Sequence, residues 1–123
     1  NYNGVIMKLY CEVVAKEILP SLRALIAKSL IEKHDLTQQE AAKKLGLTQG
    51  AISQYKRYLR GMKTKQLEKD ENILKEIEIF AGKLASGISH NEAIQIFYDI
   101  CRMSIKKIGG DISHSENCKI CFS

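Results

Sequence analysis

The chain has 123 residues, 45% hydrophobic and 27% charged, a globular composition with room for one small core that excludes wholesale disorder and the large catalytic folds. Its formal net charge of +5 at pH 7 suits an anionic partner without demanding one. No apolar run is long enough to cross a bilayer and the N-terminus lacks the pattern of a secretory signal, so a cytoplasmic protein without membrane partners is expected.

Residues 1–10, with Gly4 and the apolar patch Val5, Ile6 and Met7, favour no single conformation. From Cys11 the pattern is helical, with Cys11, Val14 and Ile18 on one face, until Pro20 removes a backbone donor and predicts a kink or a restart. The helix after Pro20 carries Leu22, Leu25, Ile26, Ser29 and Leu30 inward and should stop near His34 and Asp35.

Leu36 to Arg60, LTQQEAAKKLGLTQGAISQYKRYLR, reads as two short helices joined by a fixed turn. Thr37 and Glu40 have the spacing of a capping box, so a helix begins near Gln38 and carries Ala41, Ala42 and Leu45 inward. Gly46 ends it where a tight turn needs positive φ, and Leu47 plugs the corner. Thr48 caps a second helix whose apolar residues Ala51, Ile52, Tyr55 and Leu59 recur at helical spacing, leaving Gln49, Gly50, Ser53, Gln54 and Arg57 outward. Two helices crossing closely at a steep angle need a small residue, a turn glycine and an aliphatic residue, and Ala42, Gly46 and Ile52 supply them. The stretch is therefore predicted to be a helix-turn-helix. Lys43, Lys44, Lys56, Arg57, Arg60, Lys63, Lys65 and Lys69 concentrate the positive charge on and just after it, against Glu68.

Beyond a short connection from Gly61 to Thr64, a long helix from about Gln66 to Ser86 is predicted, with Leu67, Leu74, Ile77, Ala81, Leu84 and Ala85 inward, flanked by Ile73 and Phe80, and Gly87 at its end. Ser89 and Glu92 form a second capping box, opening a helix with Ala93, Ile96, Phe97, Ile100, Cys101, Ser104 and Ile108 on one side. Gly109 and Gly110 break that helix and leave a short tail. The chain is thus read as all-α, with a helix-turn-helix domain over residues 1–62 and a helical segment with a cysteine-bearing tail over residues 63–123.

A helix in the major groove presents the side chains of its N-terminal part to base edges, where Gln bonds adenine bidentately and Ser pairs with several bases. Gln49, Ser53 and Gln54 are the expected base readers on double-stranded DNA, with Gly50 allowing close backbone approach. Gln38, Gln39, Thr48, Lys56, Arg57 and Arg60 are assigned to phosphates. Because one such unit buries little surface, a homodimer on a palindrome is expected, with the long helix as its surface or, equally, as an internal packing helix.

Cytosolic thiols are kept reduced, which favours metal ligation over disulfides for the four cysteines, although hyperthermophile proteins depart from that rule. Cys118 and Cys121 form a CxxC whose sulfurs can share one metal ion or one edge of a cluster. Cys11 and Cys101 bring the thiols to four, yet each also lies on an apolar helical face where a free Cys serves as a small hydrophobe. His114 could replace one thiolate at zinc but reads more simply as a solvated loop residue, and His34 and His90 fall at helix ends, where surface positions are expected.

The run CEVVAKEILPSLRALIAKSLIEKHDLTQQEAAKKLGLTQGAISQYKRYLRG resembles the N-terminal domain of archaeal helix-turn-helix (lambda-repressor-like, XRE-type) transcriptional regulators. It is similar in particular to regulators in which this domain is fused to a thiamine-phosphate-binding domain, and to short relatives with C-terminal cysteines. The resemblance covers roughly the first half of the chain and implies a DNA-binding role for Gln38 to Arg60 and a cysteine cluster near the end. There is no room for the thiamine-phosphate domain, so that effector is not implied. The expectation that follows is a non-enzymatic transcription regulator tuned by an iron-sulfur cluster, 4Fe-4S, on Cys11, Cys101, Cys118 and Cys121, with redox or oxygen sensing as its task. The alternatives are structural zinc at the same residues, or no metal.

Overall fold

Pro20 falls in the first turn of a new α-helix, as the expected restart requires, but the backbone stays helical ahead of it. Helix α1 (Tyr10–Val13) runs through a π-helical turn, Val14–Ile18, straight into α2 (Leu19–Lys33) in the computed structural model, which describes residues 10–108. The Leu19 N–H bonds to Val14 O, five residues back. This wider turn directly precedes Pro20 in the first turn of α2, where the ladder must absorb a residue with no N–H. Five helices follow in the expected chain order: α3 (Gln38–Leu45), α4 (Gln49–Leu59), two that make up the segment after it, and α7 (His90–Ile108).

That middle segment differs from the single long helix predicted. It is two helices, α5 (Met62–Lys69) and α6 (Glu71–Ser86), meeting at Asp70. Asp70 leaves the helical region at φ −84°, ψ 111°, and its carboxylate accepts the Ile73 N–H at 3.0 Å. One residue thus closes α5 and caps α6, because a short acidic side chain competes well for helix-start amides. No strand occurs among the described residues, and the fold is all-α with a helix-turn-helix in it.

With apolar or small residues on nearly every side, α2 takes the middle of the fold. Leu22, Leu25, Ile26 and Leu30 enter a main core with Ile18, Leu67, Ile73, Ile77, Phe80, Ala81, Ile100 and Ile105. This core draws on both sides of the boundary expected after residue 62. On another side of α2, Ala24 and Ala27 join Ala42, Ile52 and Tyr55 in a second cluster. The apolar face of α6 is therefore covered within the chain, as the packing alternative for that helix requires. At its edge Glu78 accepts hydrogen bonds from Ser29 Oγ and Lys33 Nζ on α2. Burial pushes the Glu78 carboxyl up, but these two donors outweigh it and hold it below its ordinary value.

Candidate nucleic-acid interface

Both helix starts in the motif are capped by the predicted threonines. The Glu40 N–H donates to Thr37 Oγ1 at 3.1 Å while the Thr37 N–H donates to Glu40 Oε1 at 2.8 Å, a complete capping box. Those bonds hold the Glu40 carboxyl below its ordinary value, the backbone donor first. In α4 the Ala51 N–H donates to Thr48 Oγ1 at 3.1 Å. Between the two helices Gly46 sits at φ 69°, with its N–H on Lys43 O at 3.2 Å and the Leu47 N–H on Ala42 O at 2.8 Å. These are the paired bonds of a Schellman turn, and Leu47 folds back onto the cluster that holds Ala42, as that motif prefers.

The turn sets α4 across α3 with Ile52 and Tyr55 pressed onto Ala42, Ala24 and Ala27. Small side chains on α2 let α4 approach closely. Ala24 and Ala27 were absent from the predicted inward face, although two alanines three residues apart, opposite a leucine face, are a signal for a close helix crossing. Burial raises the Tyr55 hydroxyl pKa, and its ring meets Tyr58 edge-on at 6.2 Å between centroids. Lys28 of α2 pairs with Glu68 of α5 at 3.2 Å, and Leu67 is fully buried, so α5 closes the motif from behind.

On the outer side, Gln49, Gly50, Ser53, Gln54, Lys56, Arg57 and Arg60 are all exposed, as are Gln39 and Thr48, while Gln38 is half-buried. The Ser53 hydroxyl donates to Gln38 Oε1 at 3.2 Å, linking the start of α3 to the second turn of α4. The Arg57 guanidinium donates to Gln54 Oε1 at 3.3 Å and lies 5.8 Å from the Tyr58 ring centroid. Neither link was foreseen. They tie one polar residue expected on bases to one expected on phosphates in each case, which orients both. Of the basic residues on the flank, Lys63 is turned toward Glu17 of the π-helical turn at 3.7 Å.

The cysteines are placed less completely. Cys101 lies on α7 in the main core, 3% exposed, and burial pushes its thiol up to about 12 against the nearby Arg23 charge. Cys11 is in α1; Cys118, Cys121 and His114 lie outside the described residues. Among the described residues no three His, Cys, Asp or Glu side chains gather to hold a metal. Cys101 is thus packed as a small side chain of the main core.

The family model described as Helix-turn-helix matches residues 28–69, from the second half of α2 through α5. No curated protein and no solved structure matches the chain. The family match supports a DNA-binding transcription regulator, and no helix among the described residues is long and apolar enough to cross a membrane.

Proposed function

We propose that the protein is a sequence-specific, non-enzymatic transcription regulator that lays α4 in the DNA major groove. The observation that carries this is the exposed row Gln49, Ser53 and Gln54 at the start of a helix whose opposite face is locked onto α2 and α3, beside Lys56, Arg57 and Arg60. A rigid helix with amide and hydroxyl groups at its leading end can read base edges, and the cations behind it can grip phosphates. Gln38, through its bond to Ser53, and Arg57, through its bond to Gln54, hold those two readers from the phosphate side. Thr48 and Gln39 extend the same edge, and Gly50 leaves room for close approach. The test is a duplex chosen by selection from random sequence and a scrambled control. Gln54→Ala should lose discrimination between the two, while Lys56→Ala should weaken both alike; equal losses on both duplexes for both variants would refute the assignment.

A homodimer on a palindromic site is part of the same proposal, because a single head offers a small interface. With the apolar side of α6 taken up internally, the contact must use other surface. Sedimentation at two concentrations distinguishes a dimer from a monomer.

The cysteine tail is the finer part of the proposal. A count of four thiols and the CxxC of Cys118 and Cys121 support ligation of a 4Fe-4S cluster, or of structural zinc, together with Cys11 and Cys101. A bound cluster would supply a redox-dependent charge. Because Cys101 is buried in the main core, a metal held there would have to share that packing, and no step of DNA binding is derived through it. Anaerobic purification followed by iron, sulfide and zinc analysis tests the idea: iron with sulfide supports the sensor, stoichiometric zinc supports the structural site, and neither metal removes both. If Cys101→Ala keeps the metal content of the parent, that residue belongs to the core and not to the ligand set.

A further inference from the structure

Between the helix-turn-helix and the C-terminal helix lies a cavity of about 600 Å³, within the range of about 300–1,000 Å³ usual for small-molecule sites. Its walls are apolar and aromatic, including Leu19 of α2, Phe80 of α6 and Phe97 of α7. Among the described residues, three cations, Arg23, Lys43 and Lys44, also line it, and no Asp or Glu does. The Arg23 guanidinium carbon lies 5.9 Å from the Phe97 ring centroid, which sets one cation against the aromatic wall. Lys43 and Lys44 are exposed at the end of α3. Glu40, one turn back from Lys44, is engaged with Thr37 and is not part of the lining.

We propose that this cavity binds a small amphipathic carboxylate, with its apolar body against Leu19, Phe80 and Phe97 and its carboxylate met by Arg23, Lys43 and Lys44. An apolar chamber whose charged groups, among the described residues, are cations alone selects for one negative charge on a greasy body, since a neutral ligand forgoes the charge-assisted hydrogen bonds and a cation meets like charge. Such a ligand touches α3 immediately before the Gly46 turn, and α7 at the same time. It therefore bridges the reading head to the C-terminal helix. The binding claim stands apart from the DNA proposal and can fail or hold without it.

The test uses the full chain, ¹⁵N-labelled, titrated with decanoate, decanol and decyltrimethylammonium while amide shifts are followed. Decanoate should give saturable shifts centred on Leu19, Gly46, Ala93 and Phe97. Decanol should bind about tenfold more weakly, the worth of one charge-assisted hydrogen bond, and the ammonium more weakly still. The double variant Lys43→Gln/Lys44→Gln, both at exposed positions, should lose the preference for decanoate over decanol while its spectrum stays that of a folded protein. Ala93→Trp, which puts bulk into the chamber, should abolish binding. The proposal is overturned if decanoate and decanol bind equally to the parent chain, if the shifts fall elsewhere, or if the double variant keeps the parent's preference.

Discussion

At the scale of single residues, one buried side-chain hydroxyl among the described residues lacks a hydrogen-bond partner. Thr64 of α5 is fully buried and its hydroxyl has no hydrogen bond among the described residues. In α7 the Ser104 hydroxyl, equally buried, donates to Ile100 O at 2.8 Å, the usual resort of a helical hydroxyl. Thr64 lies in the first turn of α5, four residues after Arg60, which is outside that helix. A buried unsatisfied hydroxyl costs about 1–3 kcal/mol. Thr64→Val should therefore raise the melting temperature, by the equivalent of about 1 kcal/mol after some loss of fit, and a lower melting temperature would show that the hydroxyl has a role. Glu78 is the opposite case, a carboxylate stabilised by Ser29 and Lys33. Its folded pKa is lower than its unfolded one, so its contribution is complete above about pH 4.5 and disappears as the pH falls through the folded value. Because Lys33 is largely exposed, the contribution is no more than about 1 kcal/mol. Thermal melts of the parent and Glu78→Gln should differ at neutral pH and converge in acid; a gap that widens in acid would contradict the linkage.

At the scale of elements, local chemistry written into a few side chains decides where helices start, and the larger arrangement follows from what is left to bury. Thr37, Glu40, Gly46 and Thr48 marked the boundaries of α3 and α4 because caps and left-handed turns depend on residue type alone, and the observed bonds at these positions are the expected ones. Asp70 was overlooked for the same physical reason in reverse. Its apolar neighbours on either side keep helical spacing, and periodicity alone hides a cap inside an amphipathic run. Pro20 marks the start of α2 as its chemistry demands, whereas the π-helical turn that joins α1 to it carries no signature in residue type. Gly46 gives the sharpest test at this scale. A Cβ there would meet nothing within 4 Å, so the cost of Gly46→Ala comes from φ 69° and not from crowding. The variant should lose about 1–2 kcal/mol of stability by denaturant unfolding, whereas an unchanged midpoint would mean that the turn can be rebuilt without a left-handed residue.

At the scale of the whole molecule, α2 is shared between two clusters, the helix-turn-helix on Ala24 and Ala27 and the main core on Leu22, Ile26 and Leu30. The head is thus fixed to a helix that also supports α6 and α7, and movement of one must be felt by the others. The head's exposed polar face could be anticipated from the sequence because exposure there is the complement of a helical apolar pattern. The links of Gln38 to Ser53 and Arg57 to Gln54 could not, since they depend on side-chain placement across a crossing angle. Nor could the depth at which Cys101 is buried, since an apolar helical face does not say how closely its neighbours cover it.

Titration of duplex DNA with the purified full chain over a series of salt concentrations tests the central claim most directly. Contact with roughly 6 phosphates per bound unit predicts that log K falls linearly with log salt at a slope near −5, and that Lys56→Ala makes it shallower by about one. Binding that is absent at low salt, or whose slope is flat and unaffected by that substitution, would contradict the assignment of Leu36 to Arg60 as a DNA-reading head.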